Sequence, residues 1–257
     1  MMTTICLLRG SYCNSLCKPL ELREGIRYDR RMIALFSPKL CRSICFWIIK
    51  WLRPFAGIML LATICSVLQT PTDSTQGDIY RIIYFHVPMA FTSLALLLVV
   101  VVMSSLSWVF HLKVAKQLAS ICAKVGTFCT FATLISGSIW GFFTWGDWWV
   151  WDARLTTYLM LGFVYAAYCI MDQAVNEYRV SEKALVVLAW IGFADMILVH
   201  YSVLWWQSLH QQSTLLNLSQ QTMPWSMLWP LLLAILCVIV SVTIYISKAL
   251  VREMGWG

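Results

Sequence analysis

Five tryptophans fall within the twelve residues from Trp140 to Trp151, and the run continues into Asp152-Ala153-Arg154. So dense an aromatic cluster is costly in water unless it meets lipid or a ligand. Histidines are scarce by comparison: His86, His111, His200 and His210. His86 stands two residues before Pro88, and proline is accepted in the first turn of a helix, which places His86 at the mouth of an apolar segment. His210 follows Trp205-Trp206 at the end of another. Two neutral imidazoles on different segments, at one membrane face, suit the axial positions of a haem iron. A haem also presents a flat apolar ring and two carboxylates, which ask for aromatic surface and for the planar fork of arginine. The candidate set is therefore His86 and His210 for the metal, with Trp145, Trp148, Trp149 and Trp151 as the aromatic shelf. Arg81 and Arg154 answer the carboxylates. Asp152 either pairs with Arg154 or caps the helix that follows it. A lipid-anchoring belt is the plainer account of clustered tryptophan. It suits Trp225 and Trp229 but leaves the embedded Asp-Ala-Arg unexplained.

Elements that could position these groups follow from composition. Hydrophobic residues make up 60% of the chain and charged residues 12%, far from a soluble balance. Apolar runs at roughly 54–70, 87–110, 118–140, 156–172, 184–206 and 226–247 are each long enough for a helix to cross a bilayer. The expected fold is an all-α integral membrane protein with six transmembrane helices. Lysine and arginine set its orientation. Ten of the nineteen lie between Arg9 and Arg53; Lys113, Lys116, Lys124, Arg179, Lys183, Lys248 and Arg252 mark alternate connections and the tail. That side is read as cytoplasmic, with both termini on it. Three outer segments then remain, near 71–86, 141–155 and 207–225, and the tryptophan-rich loop is the middle one. The outer side also holds the two other basic residues, Arg81 and Arg154. The net charge of +7 belongs to this asymmetry and gives no support to nucleic-acid binding.

The ten cysteines lie before the first span or within spans, so a disulfide framework outside the membrane is excluded. No Cys-x-x-Cys pair and no nucleotide-binding Gly-x-x-x-x-Gly-Lys-Ser/Thr loop occurs, so any ATP dependence would come from other chains. Asp195 falls in the middle of the fifth span, where a neutral carboxyl hydrogen-bonded to a neighbouring helix is expected. His200 is read as a buried structural histidine. Residues 1–36 form a cytoplasmic extension of unknown role, unless Met32 is the true initiator, and 37–257 form the membrane domain.

The string Trp-Gly-Asp-Trp-Trp-Val-Trp-Asp-Ala-Arg-Leu-Thr at 145–156 resembles the tryptophan-rich signature of the haem-handling proteins of cytochrome c maturation, and best the heme exporter protein C (CcmC) family. Tyr80-Arg81-Ile82-Ile83-Tyr84-Phe85-His86-Val87-Pro88 is similar to that family's first outer histidine motif, and the stretch from His200 to Gln211 to its second. The resemblance runs from about Ser37 to the C-terminus. It implies His86 and His210 as axial ligands and 145–152 as the haem-contacting segment. It further implies non-covalent haem b held at the periplasmic face, with a periplasmic haem chaperone as recipient. ABC-type transporter subunits and a small membrane subunit are the other implied partners, and a bacterial inner membrane, ahead of a mitochondrial one, is the implied setting. No enzymatic reaction is expected. Leu204 and Asp195 depart from the family pattern, which leaves their roles open. Other classes are a b-type electron-transfer subunit, which would clamp haem between buried histidines, and a haem or solute transporter subunit. The related cytochrome c ligases are larger, with more spans.

Overall fold

The structure, a computed structural model, describes residues 36–178, 181–205 and 223–256, with the backbone alone for 203–205. Among these residues the chain is helical, with no strand beyond one isolated bridge between Asp73 and Gly77. Six helices are long and apolar enough to span a membrane: α1 Pro38–Leu68, α2 Ile83–Phe110, α3 Lys113–Trp145, α4 Ala153–Tyr178, α5 Lys183–Trp205 and α6 Trp225–Glu253. A 3-10 helix, Asp78–Ile82, leads into α2.

Five of these six helices exceed the lengths read from hydropathy, because hydropathy ends where charge begins and helices do not. The first apolar run begins at Pro54, yet α1 starts sixteen residues earlier and carries Pro54 in its interior. Its added turns are amphipathic. Cys45 is buried against α3 and α6, while Lys39, Arg42, Lys50 and Arg53 stay exposed. The Arg42 guanidinium lies 5.5 Å from the Phe46 ring centroid and the Lys50 amine 5.5 Å from that of Trp51. α3 likewise runs on past Trp140 to Trp145, so residues 141–145 are helical rather than part of the expected 141–155 outer segment. Gly146 ends it in the left-handed conformation, φ 84°, with its N–H donated to the Phe142 carbonyl at 3.1 Å.

Side-chain clusters fix which helix ends meet. Val67 of α1, Tyr80 of the 3-10 helix, Tyr84 at the start of α2, and Met227 and Leu231 at the start of α6 pack together. The Tyr84 hydroxyl donates to the Met227 carbonyl at 3.1 Å. At the opposite end Cys45, Val114, Ile121, Ala249 and Leu250 form a second cluster. Lys116 pairs there with Glu182 at 3.1 Å. His111, at φ 52°, and Leu112 make the tight turn from α2 to α3. The tryptophan end and the basic end of the bundle are thus distinct.

Lipid cannot drive helices together by hydrophobicity, so close approach and interhelical hydrogen bonds hold such bundles. α4 supplies both. Tyr165 packs directly on Gly126 of α3 through its hydroxyl end, and its hydroxyl donates to the Ser93 carbonyl at 2.6 Å. Tyr168 bonds Ser104 at 2.7 Å, and Ser120 donates to the buried Asp172 at 2.6 Å.

Candidate functional site

His86 is the fourth residue of α2, at the tryptophan end, as its place before Pro88 implies. Helix already begins at Ile83, so Pro88 sits beyond the first turn, buried, and offers no N–H to the Tyr84 carbonyl. The half-buried His86 ring leans on α3 (Lys113–Trp145). Its Nδ1 lies 3.0 Å from Ser136 Oγ, and its ring meets Trp140 edge to face at 5.9 Å between centroids. Gly137 lies under the ring: a Cβ there would stand 3.0 Å from His86 Cε1. Trp140 is held in turn, its indole N–H donating to Gln76 Oε1 at 3.0 Å.

Gln76 belongs to a loop that Asp73 organises. Asp73 Oδ1 accepts the N–H groups of Thr75 (2.9 Å) and Gln76 (2.8 Å) and the Thr75 hydroxyl (2.6 Å). These donors, the Thr75 hydroxyl first, hold the Asp73 carboxyl below its ordinary value.

Between α3 and α4 the tryptophans divide into two sets. Trp149 packs against the main core, and its Nε1 is buried without a hydrogen-bond partner among the described residues. Trp148 stacks on Phe142 at 4.5 Å with 17° between planes, and Trp151 meets Trp149 edge to face at 5.5 Å. Both remain open, Trp148 at 58% and Trp151 at 75% exposure, with Trp145 at 37%. The loop turns back over Gly141, where a Cβ would stand 3.3 Å from the Asp147 carbonyl oxygen. Asp152 caps α4: its Oδ1 accepts the Leu155 N–H at 2.7 Å.

The two arginines differ. Arg81 is tied to its own surroundings, donating from Nη2 to the Thr70 carbonyl (2.9 Å) and pairing with Asp78 (3.3 Å), while its buried Nε has no partner among the described residues. Arg154, in the first turn of α4, has Asp152 and Tyr158 as electrostatic neighbours. His210 and Trp206 lie outside the described residues, as does most of the expected 207–225 segment. The reading of His200 as buried is corrected: α5 turns Asp195 and Val199 inward, and the next position, about 100° around the helix, is exposed beside Tyr201. Asp195 is buried as expected, but its Oδ2 finds no partner among the described residues.

Ser136, Gly137, Trp140 and Gln76 were not among the candidate residues. Ser136 and Trp140 are four apart, on one helix face, which is a usable signal; nothing in the sequence ties Gln76 to them. The arrangement fits a flat, carboxylate-bearing iron ligand. It offers an oriented imidazole, exposed indoles, and two N–H donors without a partner among the described residues, Trp149 Nε1 and Arg81 Nε, at the same end of the bundle.

A family model described as Heme exporter protein C matches residues 31–254. The chain is 38% identical over 182 residues to Heme exporter protein C of Escherichia coli K12, covering 70% of this chain and 74% of that protein. It is 32% identical over 224 residues to the Haemophilus influenzae protein of the same name, with 79% and 90% covered. A putative cytochrome c biosynthesis ccmC-like mitochondrial protein of Marchantia polymorpha is 35% identical over 155 residues, with 60% and 65% covered.

Proposed function

Because the chain belongs to the heme exporter protein C family, we propose that it handles haem during cytochrome c maturation, as a multi-pass membrane protein that holds haem at the tryptophan end of its bundle. The observation that carries this reading is the cradle of His86. An imidazole fixed by Ser136 and Trp140, at the same end of the bundle as indoles left exposed, is suited to a ligand that must be gripped at its metal and released at its edge.

In this reading His86 and His210 would hold the iron of non-covalent haem b. Trp145, Trp148, Trp149 and Trp151 lie against the macrocycle, and Arg81 and Arg154 face its carboxylates. Asp152 sets the start of α4, and thereby the position of Arg154. The gathering of seventeen of nineteen basic residues on one side supports a cytoplasmic position for both termini, with the site on the periplasmic face of a bacterial inner membrane. The recipient is a periplasmic haem chaperone, with ABC-type transporter subunits and a small membrane subunit completing the system. No bond of a substrate needs to be made by this chain. Release follows when His86 or His210 gives way to a ligand from the recipient. An electron-transfer subunit would instead hold haem between buried histidines, and none of His86, His111 and His200 is buried.

The test is the absorption spectrum of the purified protein. The unsubstituted chain carries the Soret band of ligated haem, and a His86→Ala, His210→Ala double variant loses it together with transfer to the chaperone. Haem binding and transfer that both survive the double substitution overturn the proposal.

A further inference from the structure

The hydrogen bonds around Ser136 decide more than the tilt of the His86 ring. Ser136 Oγ lies 2.8 Å from the Ala132 carbonyl oxygen, 3.1 Å from the Thr133 carbonyl oxygen and 3.0 Å from His86 Nδ1. A hydroxyl has one proton to give, and carbonyl oxygens can only accept. Were that proton turned to His86, the Oγ lone pairs would face the carbonyl lone pairs at 2.8 Å with no hydrogen between them. The proton therefore goes to the helix carbonyls, the back-bonded rotamer common for serine within helices. What Oγ has left for His86 is a lone pair, so Nδ1 must be the donor. A neutral imidazole that carries its hydrogen on Nδ1 has its lone pair on Nε2.

We infer that Ser136 is a positioning residue for the metal ligand: it locks His86 in the Nδ1–H tautomer, so that Nε2 is the nitrogen presented to iron. This rests on the haem reading above. Gly137 and Trp140 complete the device. Without a side chain at 137 the ring can approach α3 closely enough to reach Ser136, and the Trp140 edge, tethered by Gln76, stops it from turning over. Hydrogen-bond partners of this kind fix the ring orientation and tautomer of metal-bound histidines, and their loss typically lowers metal affinity by about 10–100-fold.

The experiment uses the full chain in detergent, labelled with 15N-histidine and free of haem. The pH is about 8, above the ordinary imidazole value of about 6.5, so that the rings are neutral. The signals of His86 are assigned by their loss in His86→Asn. In the unsubstituted protein they report Nδ1–H. Ser136→Ala releases the ring to the Nε2–H form and weakens haem binding by about 10–100-fold, with little change in apo-protein melting. Ser136→Thr keeps a hydroxyl able to make the same back-bond and restores both tautomer and affinity. An Nε2–H signal for His86 in the unsubstituted protein overturns the inference, as does a Ser136→Ala tautomer or haem affinity that does not move. Haem retained in full by His86→Ala overturns the ligand assignment itself. That failure is read from the absorption spectrum and is separable from a failure of the tautomer.

Discussion

Gly137→Ala separates the site from the fold, because the substitution should push the two in opposite directions. On an α-helix, alanine is better than glycine by up to about 1 kcal/mol, so α3 gains or holds its stability. The new methyl stands 3.0 Å from His86 Cε1 and 3.5 Å from Nδ1, whereas unstrained carbon–carbon contacts lie at roughly 3.5–4.0 Å. The ring must therefore retreat by roughly 0.5 Å, about the positional tolerance of a functional constellation. Its bond to Ser136, 3.0 Å at rest, stretches toward the limit of a hydrogen bond. A tenfold loss of haem affinity, about 1.4 kcal/mol, is the expected scale. Haem titration followed by difference absorption gives the affinity, and thermal unfolding of the haem-free protein in detergent gives the stability. Undiminished affinity in Gly137→Ala would refute the placement of His86 in a tight cradle. So would an affinity that falls only in proportion to lost stability.

Other positions make simpler demands. Gly126→Ala places a methyl group inside the ring of Tyr165, so it should cost about 1–3 kcal/mol or more and lower the melting temperature, with the Tyr165 bond to the Ser93 carbonyl lost. Asp152→Ala removes the cap of α4 and should cost about 1 kcal/mol in thermal unfolding, while Asp152→Asn keeps the cap; a haem affinity that drops in Asp152→Asn would show that its charge matters beyond capping. The Asp73 carboxyl is held below its ordinary value, so the stability it lends the 71–77 loop is complete above about pH 4 and is lost as pH falls through the lower folded value. Hydrogen exchange at neutral pH should therefore find the Thr75 and Gln76 amides protected, and Asp73→Ala should expose them.

The sequence carries the six spans plainly because each needs about twenty apolar residues in a row, and nothing soluble imitates that. Helix ends are harder to read. Residues 38–53 are helical but amphipathic, and their charges on one face hide them from a hydropathy window. The tryptophan run looks like loop beyond Trp140, yet α3 continues to Trp145, because Gly141 serves close packing there and Gly146, not Gly141, ends the helix. Of the candidate site, His86, the tryptophans and Asp152 were legible as residue types placed where their chemistry is unusual. Ser136 and Gly137 were not, since serine and glycine are ordinary in a membrane helix. Only the crossing of α2 over α3 gives them meaning. His200 shows the converse limit: with apolar residues on all sides of α5, no period in the sequence says which face turns inward.

A site that passes its ligand on must differ physically from one that keeps it. Burial of an aromatic ring contributes in proportion to the apolar area taken from water, so a tightly enclosed macrocycle would be held by all of its surface and released slowly. Here only Trp149 is anchored in the core, while Trp148 and Trp151 keep most of their surface open. Such a shelf offers one face and leaves the rest of the ligand for a recipient to cover. On the proposed haem reading, the hold on the metal would then be the larger share, and exchanging a single bond would undo it. A rigid imidazole would favour that exchange: the His86 ring is held by Ser136, Gly137 and Trp140, and a ligand leaving the proposed site would not be followed by it. The tightness of the cradle and the openness of the shelf are therefore complementary. Substitutions that loosen the cradle should weaken capture, whereas adding apolar bulk over Trp148 and Trp151 should strengthen retention and slow hand-over to the chaperone.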